Sequence, residues 1–332
     1  MSAPPLASVL MTAHNRERYV GDAIESVLAQ TFTDFELIVV DDASTDRTVE
    51  IARGYETDPR VSVVRNETNL GDYPNRNRAS RLARGRLLKY HDSDDLMYPH
   101  CLETMVPPLL AEPRAAFALS GSVSWVGGPC PMLLDPRLCY QREFLGTQGL
   151  FICGPGAALF RAEAFRALGG FPERGVGSDY LFWLGACSSV SVLLLPGDLF
   201  WYRIHPGQQI QRPEAAREYA RAWGQAWRAL GEPSCPLTPA EREQARRNWV
   251  YGVFKSACSD LRRARPRLAL ESLRGAGMSL PEWARYLRPA RRDRLAGVPL
   301  DDSGAYVVPA WRRAAMPAVD STAARAADRA AP

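Results

Sequence analysis

The chain has 332 residues, of which 46% are hydrophobic and 23% are charged, an ordinary balance for a globular protein. This length provides a sizeable core, arranged in one large domain or two smaller ones. The formal net charge of +4 is small and gives no argument for nucleic acid as a partner.

The cysteine pattern and the lack of long apolar runs bear on location. The seven cysteines are scattered and include no C-x-x-C pair, which is typical of free thiols in a reducing compartment. No charged stretch followed by an apolar one opens the chain, so we predict no signal peptide. The longest apolar runs, such as residues 190–196, are too short to span a bilayer. We expect a cytoplasmic protein and leave open a peripheral contact at the inner membrane surface.

The first hundred residues alternate between buried strands and helices. The pattern predicts strands over 8–12, 35–40, 61–64 and 86–90, and helices over 19–28, 46–52 and 75–83. Apolar strands that alternate with helices are typical of a parallel sheet covered on both faces. Ligands bind beyond the carboxyl ends of such strands, and polar residues stand there at positions 12–15, 41–42 and 92–95.

The rest of the chain is less regular. We predict helices over 99–110, 160–168 and 179–186, strands over 117–125, 190–195 and 199–204, and a Gly- and Pro-rich loop over 127–149. Residues 214–287 have a helical pattern, and five aromatic residues are its predicted core anchors: Trp223, Trp227, Trp249, Tyr251 and Phe254. The last thirty or so residues are rich in Ala, Arg and Pro and predict a loosely held tail.

Three carboxylates fall within four residues at Asp92, Asp94 and Asp95, directly after an apolar strand. A hard divalent cation, Mg²⁺ or Mn²⁺, stabilises such a cluster because these ions prefer carboxylate oxygens. Magnesium sites often use one or two carboxylates and take other ligands from water and substrate phosphates. The cluster therefore indicates a metal and a phosphate-bearing substrate, with a polar loop that caps a strand as the alternative.

Six segments resemble, in the same order, the family 2 inverting glycosyltransferases of the GT-A fold. They lie within residues 8–209, about two thirds of the chain: 8–15, 26–46, 69–77, 90–95, 165–171 and 201–205. The resemblance implies an α/β fold whose mostly parallel sheet has helices on both faces. It also implies a catalytic domain over 1–210, with a nucleotide-binding half to about 98 and an acceptor-side half from about 99. A helical extension over 211–295 and a tail over 296–332 follow.

The resemblance further implies a nucleotide-diphosphate sugar as donor, with a UDP-sugar favoured. Asp42 would bind the base, in a pocket that Thr12, Ala13 and Asn15 also line. The alternative is that Asp42 forms only a turn and a helix cap.

Three further residues are implied to act on the donor. Arg76 would reach the diphosphate, since a guanidinium suits phosphate well, unless it is merely a solvated helix residue. Asp92 would lie beside the ribose or sugar, and Asp94 would act with it on the donor.

Asp94, Asp95 and His205 are the metal ligands that the resemblance implies. The sequence does not decide which of the two carboxylates bonds the cation directly. A lone histidine is as often structural, so a purely structural His205 is the alternative.

The implied catalytic base is Asp179, at the start of a predicted helix. It would accept the proton of the acceptor hydroxyl as that hydroxyl attacks the sugar. Family members usually carry Glu before this Asp, whereas this chain has Ser178, which leaves the acceptor choice open. A simple helix N-cap is the alternative.

The expected function is metal-dependent, inverting transfer of a sugar to an unknown hydroxyl acceptor. The Q-x-x-R-W segment of processive synthases is missing, since the nearest string, residues 244–249, has the wrong spacing, so a single transfer is favoured. A catalytically inactive relative that binds nucleotide or carbohydrate is one alternative. A sugar nucleotidyltransferase is the other, although residues 12–16 lack the glycines of its first loop.

Two regions are candidates for acceptor and partner contacts. Aromatic residues in and beside the loop over 127–149 either stack on an acceptor or fill a core: Trp125, Tyr140, Phe144 and Phe151. The Arg-rich region over 212–294 is an oligomer surface, a contact with anionic lipid or with a lipid-diphosphate acceptor, or a solvated face. The oligomeric state stays open.

Overall fold

A computed structural model describes residues 3–120, 130–146, 149–212 and 214–286. Within these residues, ten strands form an eight-stranded sheet and a separate pair: β1 (Ala7–Ala13), β2 (Phe35–Asp41), β3 (Val61–Arg65), β4 (Leu87–Asp92), β5 (Leu96–Met97), β6 (Ala115–Ser120), β7 (Met132–Leu134), β8 (Ala158–Arg161), β9 (Ser191–Leu195) and β10 (Phe200–Trp201). The main sheet has the order β3-β2-β1-β4-β8-β6-β9-β7, and β5 pairs with β10. The expected α/β fold with a mostly parallel sheet is confirmed.

Eleven helices surround or follow the sheet in the described residues: α1 (Val20–Leu28), α2 (Thr48–Arg53), α3 (Asp72–Leu82), α4 (Cys101–Ala111), α5 (Pro136–Phe144), α6 (Ala162–Ala167), α7 (Ser178–Ala186), α8 (Ala215–Ala229), α9 (Pro239–Arg262), α10 (Pro266–Gly275) and α11 (Leu280–Tyr286). Of the helices that the structure describes, none combines the length and apolarity needed to cross a bilayer.

The parallel half of the sheet sets the position of the polar strand ends. Strands β2 and β4 flank β1, and Thr12 lies opposite both Val40 and Asp92 in the register. Alternate side chains of each strand enter two separate cores, so that Leu10 and Val9 face opposite sides of the sheet. The carboxyl ends of β1, β2 and β4 therefore meet at one edge.

The segment over 127–149 differs from the predicted loop. It contains β7 and α5, whose first residue is Pro136 and whose cap Asp135 accepts a hydrogen bond from the Leu138 N–H at 2.8 Å. The helix buries Cys139 and Tyr140 in the core, and the burial of these side chains outweighs the Gly and Pro signals on either side. Residues 127–129 and 147–148 lie outside the described residues, as do Trp125 and the predicted tail.

The predicted helix over 160–168 also begins later than expected. Residues 158–161 form strand β8, which runs antiparallel between β4 and β6, and α6 starts only at Ala162. The apolar side chains at 158–160 fit a buried strand as well as a helix, and their central place in the sheet decides between the two.

The C-terminal helices pack on one another at close range. The Thr238 hydroxyl and the Glu241 side chain form a capping box that starts α9. Helices α8 and α10 cross so closely that a Cβ on Gly224 would lie 2.0 Å from the Gly275 carbonyl oxygen. Glycine is therefore required there for steric reasons.

The prediction of aromatic core anchors in this region is only partly correct. Trp227 is buried and stacks near Trp249, with ring centroids 5.6 Å apart. Trp223, Tyr251 and Phe254 are 45%, 67% and 43% exposed, so the prediction that they are core anchors is wrong. Helical spacing alone does not tell an apolar face that packs inward from one that points outward.

Candidate active site

A single cleft of about 1370 Å³ runs along the carboxyl ends of β1, β2 and β4 and on to α8 and α10. Seven of the predicted site residues line it: Thr12, Ala13, Asp42, Arg76, Asp92, Asp94 and Asp179. Side chains more than 160 positions apart in the sequence thus converge on one concave surface, as expected for parallel strands that share an edge.

Asp42 organises the part of the cleft beyond the carboxyl end of β2. Its Oδ1 accepts hydrogen bonds from the Asn66 side chain at 2.7 Å and the Leu70 N–H at 2.8 Å, and its Oδ2 accepts one from the Gly71 N–H at 2.9 Å. These bonds fix the loop between β3 and α3 against β2. Each carboxylate oxygen has two lone pairs, so Oδ2 keeps one further acceptor position.

Asn15 is not among the residues that line the cleft. Its Oδ1 accepts a hydrogen bond from the Thr45 N–H at 2.9 Å, and its own N–H donates to the Ser44 hydroxyl at 2.9 Å. The backbone at Asn15 has a φ of 52°, a left-handed conformation that Asn tolerates better than most residues. Asn15 therefore joins the loops after β1 and β2, and its link to the pocket is indirect.

Arg76 is the buried cation of the cleft. Its guanidinium forms ion pairs with Asp72 at 2.8 Å and with Asp92 at 2.7 Å, and only 9% of its side chain is exposed. Burial opposes the charge on Arg76, but the two carboxylates outweigh it and raise the pKa of the guanidinium. Among the described residues its buried Nη1 has no hydrogen-bond partner, which suits it to a further anion.

Burial raises the pKa of the Asp92 carboxyl, but Arg76 more than offsets this effect and the net pKa is lowered. Asp92 is therefore a carboxylate at neutral pH, held in place by Arg76. This burial shows that Arg76 is not merely a solvated helix residue, because a solvated arginine would not be enclosed by two acids.

Asp94 and His205 form the second polar centre. Nε2 of His205 lies 2.9 Å from Oδ2 of Asp94, and Nδ1 of His205 accepts a hydrogen bond from the Gly207 N–H at 3.2 Å. Arg16 Nε donates to the same Asp94 oxygen at 3.0 Å, a contact that the sequence did not predict.

Asp95 is placed differently from Asp94. It is buried, does not line the cleft, and accepts a hydrogen bond from the Arg203 N–H at 3.0 Å. Burial, followed by repulsion from Asp92, raises the pKa of Asp95 to about 8. It holds the segment that carries His205, whereas Asp94 presents its oxygens to the cleft.

These residues fit a divalent cation only in part. No group of three or more His, Cys, Asp or Glu side chains in the described parts of the chain converges as a preformed metal cage. However, the 2.9 Å separation of the Asp94 oxygen and the His205 nitrogen is close to the spacing of about 3 Å between neighbouring octahedral ligands. Two protein ligands with substrate phosphates are a common magnesium arrangement.

Asp179 lies in the first turn of α7 and lines the cleft. Its Oδ1 accepts a hydrogen bond from the Tyr180 N–H at 2.8 Å. Burial raises the pKa of Asp179. The hydrogen bonds from the Tyr180 N–H and the Tyr73 hydroxyl lower it, but by less, so the net pKa is raised. A carboxylate with a raised pKa is the stronger base, which suits proton abstraction.

Helix α7 is fixed by its buried face. Trp183 is fully buried, stacks on Phe160 at 5.8 Å, and donates from Nε1 to the Cys153 carbonyl at 2.9 Å. Burial of an aromatic side chain of this size contributes about 3 kcal/mol. Ser178 is also buried, and its hydroxyl donates to the Gly175 carbonyl at 2.7 Å, so it shapes the turn before Asp179.

Several cleft residues were not identified from the sequence. Arg16, Asp72 and Tyr73 contact predicted site residues, and Tyr219 comes from α8, outside the segments of the resemblance. The buried Lys89 was also missed. Its Nζ donates to the carbonyls of Gly156 and Tyr90, and a lysine within an apolar strand was the signal that could have found it.

Three of the four candidate acceptor aromatics lie within the described residues, and they are buried. Tyr140, Phe144 and Phe151 are between 1% and 6% exposed, and their rings contact one another. Of these three, only Phe151 borders the cleft. The core-filling alternative is therefore correct for Tyr140 and Phe144.

Comparison with known proteins decides the family of the sheet region. Residues 8–169 match the family model described as glycosyl transferase family 2. Residues 8–169 are a family 2 glycosyltransferase domain. EpsE of Bacillus subtilis, assigned as a glycosyltransferase, is 38% identical to the chain over 179 residues, which are 52% of this chain and 62% of EpsE.

A second relative of the family 2 domain is WcaA of Escherichia coli, assigned to colanic acid biosynthesis. It is 32% identical over 161 residues, 45% of this chain and 57% of WcaA. The chain thus spans less than two thirds of the length of both relatives.

Solved structures confirm the GT-A fold. TarS residues 1–349 of S. aureus in complex with UDP-GlcNAc superpose with a TM-score of 0.56 at 18% identity, covering 84% of this chain and 91% of that one. The mannosyltransferase PcManGT of Pyrobaculum calidifontis, in complex with GDP-Man and Mn²⁺, gives a TM-score of 0.56 at 20% identity, covering 86% and 79%.

Proposed function

We propose that the protein transfers a sugar, with inversion and in single steps, from a UDP-sugar to a hydroxyl acceptor, assisted by Mg²⁺ or Mn²⁺. The observation that carries the proposal is the one cleft in which Asp42, Arg76, Asp94 and Asp179 converge. The family 2 domain supports the reaction class, and the nucleotide sugars bound to TarS and PcManGT support the donor class.

The donor end of the cleft binds the nucleotide and its diphosphate. The free acceptor position on Asp42 Oδ2 receives the N–H of a uracil ring, and Thr12 and Ala13 line the same pocket. Arg76 turns its unpaired Nη1 toward the diphosphate. A guanidinium in this place offsets the negative charge that grows on the leaving group.

Asp94 and His205 would hold the metal, with Asp95 behind them as support. When bound, the cation supplies Lewis-acid stabilisation of the departing diphosphate. Arg16 contacts the same Asp94 oxygen and is close enough to contribute further positive charge there.

The acceptor end supplies the base. The acceptor oxygen forms a bond to the anomeric carbon while the bond between that carbon and the diphosphate oxygen breaks. The hydroxyl proton passes to Asp179, whose raised pKa favours its capture. With Asp179 as base on one side of the anomeric carbon and the diphosphate on the other, attack comes from the face opposite the diphosphate, which inverts the anomeric centre.

Thermal melting with nucleoside diphosphates tests the proposal. UDP with Mn²⁺ should raise the melting temperature more than other diphosphates do, because a ligand that binds only the folded state stabilises it. The Asp94→Asn variant should lose the part of the shift that depends on the metal. The exposed Asp198 provides a matched control, and Asp198→Asn should keep the full shift. A protein that no diphosphate stabilises would contradict the proposed function.

A further inference from the structure

Helix α8 contributes two aromatic side chains to the acceptor end of the cleft. Tyr219 and Trp223 lie one helical turn apart, both line the cleft, and their ring centroids are 6.4 Å apart. Trp223 is 45% exposed, although a large aromatic ring is usually buried when it has no ligand. Both residues lie beyond residue 169, where the match to the family model ends.

Direct packing holds this pair beside the proposed base. Gly177 precedes Asp179 at the N-cap of α7, with a left-handed φ of 89°. A Cβ at that position would lie 2.8 Å from the Ala222 Cβ and 3.5 Å from Tyr219 Cδ1, so α8 rests on the backbone of this turn. Burial, and next the nearby Asp179 carboxylate, raise the pKa of Tyr219 to about 12. Its hydroxyl therefore stays a hydrogen-bond donor.

Carboxylates outnumber cations along the whole cleft. At the donor end, Arg16 and Arg76 stand among four of them, Asp42, Asp72, Asp92 and Asp94. Four carboxylates stand at the acceptor end: Glu173, Asp179, Glu218 and Asp260. Among the described residues that line this end, Arg212 is the single cation. Arg212 itself lies 4.0 Å from Glu218, which offsets its charge.

We propose that Tyr219 and Trp223 form the acceptor platform and that it binds an uncharged sugar ring. The inference rests on the proposed function. A pyranose ring presents C–H groups on its faces and hydroxyls at its edge, so it packs on exposed aromatic faces while its hydroxyls reach Asp179 and Tyr219. The surrounding carboxylates repel acceptors that carry uronate or phosphate groups at this position, because like charges in a cleft of low dielectric disfavour binding.

Saturation-transfer NMR tests the platform with defined probes. The full chain, with UDP and Mg²⁺, is mixed with methyl glycosides of glucose, galactose and N-acetylglucosamine, and with methyl glucuronide. At least one neutral glycoside should receive saturation from the protein, at least fivefold more than the glucuronide does. Trp223→Ala should reduce the saturation transfer to the neutral glycoside at least fivefold, whereas Trp223→Phe should keep most of it.

Two controls make the outcome decisive. Tyr251 is an aromatic residue on α9 that is 67% exposed and does not line the cleft, so Tyr251→Ala should match the parent chain. The UDP signals report on folding and on the donor site in every sample. Equal glycoside transfer in Trp223→Ala, or a glucuronide signal as strong as the neutral ones, would overturn the inference.

The two hypotheses fail in different ways in this experiment. Binding of UDP without any neutral glycoside would overturn the acceptor platform and leave the proposed donor site intact. A chain that binds no UDP would instead contradict the proposed function, on which the platform depends.

Discussion

Replacement of Arg76 provides a strong quantitative test of the cleft. In Arg76→Met, Asp72 and Asp92 lose their shared partner while remaining partly buried, since their side chains are 21% and 27% exposed. Removal of one member of a buried ion pair typically costs about 3–5 kcal/mol, and the partial exposure favours the lower end. We expect the free energy of unfolding to fall by about 3 kcal/mol, equivalent to roughly 6–12 °C in Tm.

A double-mutant cycle separates the charge effect from the loss of packing. In the parent chain, Asp92→Asn should cost about 1.5 kcal/mol, because Arg76 loses one charge-assisted hydrogen bond but keeps Asp72. In the Arg76→Met background the same change should stabilise the chain by about 1 kcal/mol, because it removes an unpaired carboxylate. The coupling energy is then about 2.5 kcal/mol, within the range for side chains in direct contact.

Urea unfolding followed by tryptophan fluorescence measures all four proteins. Arg81→Met is the matched control, since Arg81 is exposed on the same helix, and it should change stability by less than about 0.5 kcal/mol. If Asp92→Asn destabilises both backgrounds equally, the proposed electrostatic role of Arg76 is wrong.

Three further predictions concern the metal, the base and the packing of α7. Asp94→Asn should lower kcat by at least about 100-fold in the presence of Mn²⁺, as steady-state assays will show; unchanged turnover would exclude its metal role. With Asp179 as base, kcat/KM should fall as pH drops through its raised pKa, above the ordinary 3.8, and Asp179→Asn should lose about 10²–10⁴ in kcat while keeping UDP affinity in calorimetry. Gly177→Ala should lower stability by about 1–3 kcal/mol in urea unfolding, because its φ is left-handed and its Cβ would meet Ala222; an unchanged midpoint would show that α7 and α8 separate easily.

The sequence predicted the parallel half of the fold well because its signals there are local. The strand Phe35–Asp41 is buried at every residue, and a continuous apolar run that ends in acids leaves little ambiguity. Since parallel strands end at the same edge, the convergence of Asp42 and Asp94 on one cleft followed from the strand assignments alone. The family resemblance was needed only to give these residues roles.

The rest of the site depends on contacts between distant segments, which a single sequence does not show. Arg16 and Asp94 are 78 residues apart and meet at 3.0 Å only because β1 and β4 are neighbours in the sheet. The choice between Asp94 and Asp95, which the sequence left open, was equally hidden. Both lie in the turn between β4 and β5, where Asp94 lines the cleft and Asp95 is buried.

The close packing of α8 on the backbone of Gly177 has a consequence for engineering. It couples the turn before the proposed base to the helix that carries the aromatic pair, so a tilt of this helix would displace both together. Attempts to change the proposed acceptor specificity should therefore leave positions 177 and 222 unaltered and vary only the rings at 219 and 223. Exchanging the whole of α8 would alter acceptor recognition and would also displace Asp179, the proposed base.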